Sequence, residues 1–248
     1  MLRSDRLVQA NQPQVHLLCL SAAEELVSTT LFEFDYLDAG ELAKAHQYRN
    51  ESARRQFLAG RYLAKTLLAA ATQQTRDSIQ LQLAPNGKPY LENSAWHFNL
   101  SHSDDWVACA LAPQAIGIDI EACLRPIEHL AIAEQHFSSE EFSWLRKRQA
   151  KQNQKFTALW SLKEAYLKAL GLGISHDLAS MRWQLHGKSS ISVQSSFTTQ
   201  PWFCRLLRPD SGYWLSLCYP EQLGAVAIYK HSLSTLCYAD LPLALSQS

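Results

Sequence analysis

The sequence predicts an α+β chain, on three observations. Two stretches of helical pattern, about residues 39–71 and 152–170, stand well apart; short apolar strand candidates flank each; and no low-complexity linker separates them. With 47% of its 248 residues hydrophobic, the chain can fill one large domain or two small units sharing a core.

After a polar start, residues 15–20 read as a first strand. The helical stretch from Ala39 is rich in Ala, Leu, Lys and Arg, and Phe57, Leu58, Tyr62 and Leu68 give it a buried face. Strand candidates follow at 79–83, 97–100 and 106–111, with a turn at Pro85, Asn86 and Gly87 after the first. Ile116 opens another strand. Helical segments near 127–136 and 139–148 lead to the longer helix from Gln152, which Gly171 and Gly173 stop. From Met181 to Tyr229 the pattern returns to strands, at 202–207, 213–218 and 225–229. The expected division is an N-terminal α+β half, 1–115, and a C-terminal α+β half, 116–248, with no residue-level repeat visible between them.

Lys plus Arg equals Asp plus Glu at 23 each, so bulk charge announces neither a nucleic acid nor an anionic membrane, and an anion must be met by a local cluster. The six cysteines, Cys19, Cys109, Cys123, Cys204, Cys218 and Cys237, lack a C-x-x-C pair and read as reduced, structural thiols. The start has no signal-peptide core and no apolar run reaches a membrane span, so the expected location is cytoplasmic.

Chemistry concentrates in two segments. In Ile116-Gly117-Ile118-Asp119-Ile120-Glu121, alternation puts the isoleucines on one strand face and Gly117, Asp119 and Glu121 on the other. Residues two apart on a strand lie roughly 6.6 Å apart at the backbone, near enough for both carboxylates to reach one hard cation such as magnesium. Gly117 leaves room for a ligand beside them. A lone D-x-E is more often simply a half-buried strand with two solvated acids. In WSLKEAYLKALG, helical spacing sets Ser161, Glu164 and Lys168 along one face and Leu159, Leu162, Tyr166, Ala169 and Leu170 on the other. Alone this is a surface helix with an i,i+4 pair worth about 0.2–0.5 kcal/mol. Together the segments supply three carboxylates and two lysines, Lys163 and Lys168, the parts that attack at a phosphoryl centre requires.

There is no Walker loop and no G-x-G-x-x-G, so side chains must hold any phosphates. Pro85-Asn86-Gly87-Lys88-Pro89 is a tight turn projecting a lysine; Asn99-Leu100-Ser101-His102-Ser103 is a polar strand end; Arg49, Arg54 and Arg61 lie along the first helical stretch. Each also fits a plain role as a solvated turn lysine, a cap, or an arginine covering apolar surface.

The order of NGKPYL, FNLSHS, GIDIE and WSLKEAYLKALG, with Phe57 and Arg61 upstream, resembles the Sfp-type, or surfactin-type, 4'-phosphopantetheinyl transferase family, over about residues 37–173. The resemblance implies a pseudo-twofold monomer of two similar α+β halves, with coenzyme A in the cleft between them. By similarity Asp119, Glu121 and Glu164 hold a magnesium ion on the coenzyme A diphosphate, Lys163 and Lys168 line that site, and Glu164, directly or through a metal-bound water, is the base for a carrier-protein serine. Ser101 and His102 contact the 3'-phosphate end, with Lys88, Arg61 and Arg49 beside them and Gly87 and Pro89 shaping the turn. The implied reaction moves phosphopantetheine from coenzyme A to the serine of an apo acyl or peptidyl carrier protein and releases 3',5'-ADP, in the manner of a holo-acyl-carrier-protein synthase. Phe137, Phe142 and Trp144 are carrier contacts or core. The rival readings are a magnesium-dependent phosphodiesterase or nuclease, disfavoured by the lack of a basic tract, and a coenzyme A and carrier-binding protein without chemistry.

Overall fold

The computed structural model describes residues 12–20, 34–123, 129–147, 151–173, 177–186, 190–221 and 226–232. The α+β expectation holds: five α-helices and three sheets stand among the described residues. They fall into two compact units, one holding the described residues up to Gln114 together with the last strand, the other those between Ala115 and Gly224. Cys237 lies outside the described residues; the other five cysteines are free thiols. No helix among the described residues is long and apolar enough to cross a membrane.

The first unit opens with β1 (Gln14–Cys19). The single helical stretch expected from Ala39 is two helices, α1 (Ala39–Gln47) and α2 (Glu51–Thr72). Tyr48 is extended, and the Asn50 side chain accepts from the Ala53 amide to start the second helix. An N-cap of this kind restarts a helix that the Ala- and Leu-rich pattern would have run through. α2 ends at Gln73 in the left-handed region (φ 56°), whose N–H returns to the Ala69 carbonyl. Leu63, Leu67 and Leu68 of α2 are buried with Phe98, Val107 and Leu111 of the sheet below, and Leu58 with Ala45 of α1. Burying each such leucine contributes about 1.5–3 kcal/mol.

That sheet contains β4 (His97–Ser103) and β5 (Trp106–Ala112); a short hairpin, β2 (Leu81–Leu83) and β3 (Pro89–Leu91), precedes it. Its fourth strand comes from the far end of the chain. β11 (Ala227–Ser232) lies parallel to β1, in the order β11-β1-β5-β4. The division at residue 115 had assigned it to the second half. Its pairing places it in the first, because non-local strand pairing leaves no local trace in sequence.

The second unit is a five-stranded antiparallel sheet crossed by one helix. Its strands are β6 (Gly117–Ala122), β7 (Arg182–His186), β8 (Ser190–Ser195), β9 (Thr198–Leu207) and β10 (Tyr213–Tyr219), in the order β6-β10-β9-β8-β7. Between β6 and β7 come α3 (His129–His136), α4 (Ser139–Arg146) and α5 (Gln152–Leu170). Gly171 ends α5 at φ 70°, with the N–H groups of Gly171 and Leu172 returning to the last turn. α5 packs on β6, β10 and β9.

Candidate active site

The acidic face of β6 is covered, where the sequence suggested an open one. Asp119 is 1% exposed and Gly117 is buried. A Cβ on Gly117 would stand 1.9 Å from the Ala165 carbonyl oxygen and 2.5 Å from the Ala169 amide nitrogen. The space beside the acids therefore seats the backbone of α5 rather than a ligand, and glycine is there because the helix lies directly on the strand.

That seating brings the two motifs together. Lys168 Nζ stands 2.5 Å from Asp119 Oδ1 and 3.5 Å from Glu164 Oε2, one carboxylate from the strand and one from the helix. The pair is exposed only on the lysine side, with Lys168 28% accessible and Asp119 2%. Burial opposes the Lys168 charge, but Asp119 and Glu164, with Glu121 further off, outweigh it and hold the ammonium above its ordinary range. Glu164 is pushed up by burial and then by the neighbouring Asp119 charge, with Lys168 only partly offsetting them. Two carboxylates crowded in a partly dry place around one cation form a site that favours positive charge.

The donors are all hard oxygens, which suits magnesium; it commonly uses one or two carboxylates and completes its shell with water and substrate phosphate. Among the described residues no three His, Cys, Asp or Glu groups are arranged as they stand to hold a metal ion. Asp119 and Glu164, already sharing a cation, are the pair that fits one.

Lys163 goes elsewhere. It is fully buried, its Nζ 2.9 Å from Glu141 Oε1 and donating to the Leu178 carbonyl at 2.8 Å, above the Phe137 ring. Burial lowers its basicity and Glu141 partly restores it. Five positions separate it from Lys168, which turns the two lysines to different sides of α5. Glu141 is the centre of that second cluster. It closes a capping box with Ser138 at the start of α4 and accepts from Trp183 Nε1 at 2.9 Å. Glu141 is not among the residues the sequence singled out; the S-x-x-E spacing from Ser138 is the pattern that could have found it. Ser161 also points inward, its hydroxyl 2.7 Å from Ser216 on β10. Phe137 is core, Phe142 is partly buried, and Trp144 is exposed with Lys155 Nζ 4.5 Å over its ring.

In the first unit Arg61 is buried and pairs with Glu41 at 2.9 Å while lying over the Phe57 ring. Glu41 also takes Lys65 at 2.7 Å, and Lys65 donates to the Tyr36 carbonyl. Arg49 is exposed between α1 and α2, and Arg54 pairs loosely with Glu51 at 3.7 Å. Gly87, at φ 82°, makes the turn after Asn86, whose side chain accepts from the Lys88 amide at 3.1 Å. Pro89 then begins β3. Burial and then the Lys88 charge depress His97, the first residue of β4. Further along that strand Ser101 is buried and His102 exposed, and as successive residues they project from opposite faces.

Residues 115–218 match the family model described as the 4'-phosphopantetheinyl transferase superfamily, and residues 26–114 match that of the 4'-phosphopantetheinyl transferase N-terminal region. The chain is similar to 4'-phosphopantetheinyl transferase Sfp of Bacillus subtilis (strain 168), 34% identical over 187 residues, covering 73% of this chain and 82% of the relative. It is 37% identical over 195 residues to 4'-phosphopantetheinyl transferase gsp of Aneurinibacillus migulanus, 77% of this chain and 80% of that one. A solved structure, Thermotoga maritima holo-[acyl-carrier-protein] synthase, aligns with a TM-score of 0.35 at 20% identity, over 42% of this chain and 61% of that one.

Proposed function

This chain belongs to the Sfp-type 4'-phosphopantetheinyl transferases, and we propose on that premise that it modifies carrier proteins in the way a holo-acyl-carrier-protein synthase does. The observation that carries the reading is the meeting of Asp119, Glu164 and Lys168, from two distant segments, around one positive charge.

The serine Oγ of the apo carrier protein bonds to the β-phosphorus of coenzyme A. The bond from that phosphorus to the oxygen bridging the two phosphates breaks, and its electron pair leaves with 3',5'-ADP. Serine is a poor nucleophile until its proton is removed, and Glu164 takes that proton. In the metal-free chain burial and then the Asp119 charge raise its proton affinity, the direction a general base needs. Asp119 holds Lys168, whose ammonium faces the phosphate oxygens as charge builds on them. Magnesium, held by Asp119 and Glu164 with Glu121 beside them, would neutralise charge on the diphosphate.

For the 3'-phosphate end, Lys88 on its rigid turn is favoured over Arg61, which Glu41 already engages. Ser101, His102 and Arg49 are assigned there on family resemblance alone, with Gly87 and Pro89 fixing the turn. Lys163 supports α5 instead of touching phosphate. A monomer acting in the cytoplasm, with neither nucleic acid nor membrane as partner, completes the proposal.

Mass spectrometry of a purified apo acyl carrier protein incubated with the chain, coenzyme A and magnesium tests it. The carrier should gain one phosphopantetheine arm, and 3',5'-ADP should appear only when the carrier is present. Release of 3',5'-ADP without carrier would instead favour phosphodiester hydrolysis.

A further inference from the structure

Resting on that reading, we propose that Ser216 is a positioning residue for the transfer: by bonding Ser161 it fixes how α5 sits over β6, and so where Glu164 and Lys168 stand relative to Asp119.

Ser216 is a lone hydroxyl among Leu215, Leu217 and Cys218, all fully buried on β10. A hydroxyl in such a place costs free energy unless it is bonded, and its partner is Ser161 Oγ at 2.7 Å. Ser161 in turn donates to the Ala158 carbonyl at 3.1 Å, which leaves Ser216 as the donor between the two hydroxyls. In the β6–β10 register Ser216 stands directly opposite Asp119, so the two side chains share the sheet face on which α5 lies.

Along α5, Ser161, Glu164 and Lys168 are spaced three and four apart and lie on one face. Two polar ties run from that face to the sheet, Ser161 to Ser216 at one end and Lys168 to Asp119 two turns later. At Gly117 the contact is helix backbone against strand, which sets how closely α5 approaches β6. Phosphate and a bound metal ion would draw on Lys168 and Asp119, whereas Ser161 and Ser216 are both fully buried, out of a ligand's reach. The serine pair is therefore the tie that persists through turnover.

A third polar tie on α5 supplies the control. Tyr166 Oη lies 2.7 Å from Ser195 Oγ on β8, away from Asp119. Ser216→Ala, Ser161→Ala, the double variant and Ser195→Ala are assayed with coenzyme A, magnesium and an apo acyl carrier protein, beside Glu164→Gln. Ser216→Ala should lower kcat roughly tenfold or more with the KM for coenzyme A within about twofold, since small misplacement of reacting groups is costly. The double variant should be no worse than about twofold beyond either single one, because both remove the same bond. Ser195→Ala should leave kcat within about twofold. Equal losses in Ser195→Ala and Ser216→Ala, multiplying losses in the double variant, or full kcat in Ser216→Ala would each overturn the proposal. Should Ser216→Ala fail to fold, Ser161→Ala and Ser216→Cys carry the same comparison. Full activity in Glu164→Gln would sink the underlying reading of the site instead.

Discussion

Each unit buries a cluster of charges, and the two clusters are built to opposite balances. In the first, one carboxylate, Glu41, meets two cations, Arg61 and Lys65, all nearly inaccessible. In the second, two carboxylates, Asp119 and Glu164, meet one ammonium that keeps partial access to solvent. The first is closed, with its lysine also spent on the Tyr36 carbonyl. The second retains negative charge and an opening, so it can take a cation and a phosphate. Charged residues at motif positions thus divide by environment: a sealed, cation-rich group holds helices together, and an open, acid-rich group is the one proposed to do chemistry.

The largest effect that would break this contrast is on turnover. Glu164→Gln should lose about 10²–10⁴-fold in phosphopantetheine transfer, the usual worth of a general base, with melting nearly unchanged. Retained transfer would remove the distinction between the clusters. Glu41→Gln should do the reverse. It leaves two buried cations uncompensated and should cost about 3–5 kcal/mol in denaturant unfolding, while folded protein keeps its kcat. A loss of transfer without loss of stability would make the first cluster functional too.

Two smaller effects sharpen the picture. Lys163→Met should lower stability by about 1–3 kcal/mol, because Glu141 loses a buried partner, and leave the KM for coenzyme A unchanged. The last prediction concerns pH and the first unit. Burial, and for His16 also the neighbouring His231, lower these two histidines from an ordinary 6.5 to about 3 and about 4. The unfolded chain therefore binds more protons below pH 6.5, so stability is full above that value and falls toward pH 4. A loss on the order of 1–2 kcal/mol per histidine by pH 5 should appear in thermal melts, and His16→Leu should flatten it.

Much of the second unit was legible in the sequence. Alternation found β6, helical spacing set Glu164 and Lys168 on one face, and Gly171 marked the end of α5. The reason Gly117 is glycine was not legible, since room for a ligand and room for a helix look alike in one strand. Nor was the fate of Lys163: two lysines five apart on a helix differ in side, yet which side is covered depends on α4, α5 and β7 packing together. Arg61 illustrates the same limit, because an amphipathic pattern does not say whether an arginine at the edge of the apolar stripe meets solvent or a buried acid. Ser216 left a faint mark as a hydroxyl inside an apolar strand, but its partner is 55 positions away.

The parallel pairing of β1 with β11 bears on synthesis. The strand that completes the first sheet leaves the ribosome after the whole of the second unit, so β1 must wait with one flank unpaired. A chain stopped at residue 224 would keep that flank open, with His16 stripped of its stacking against Tyr229 and His231. Such nascent or truncated chains would present a hydrophobic strand edge to their neighbours, a template for self-association that the folded chain covers with β11.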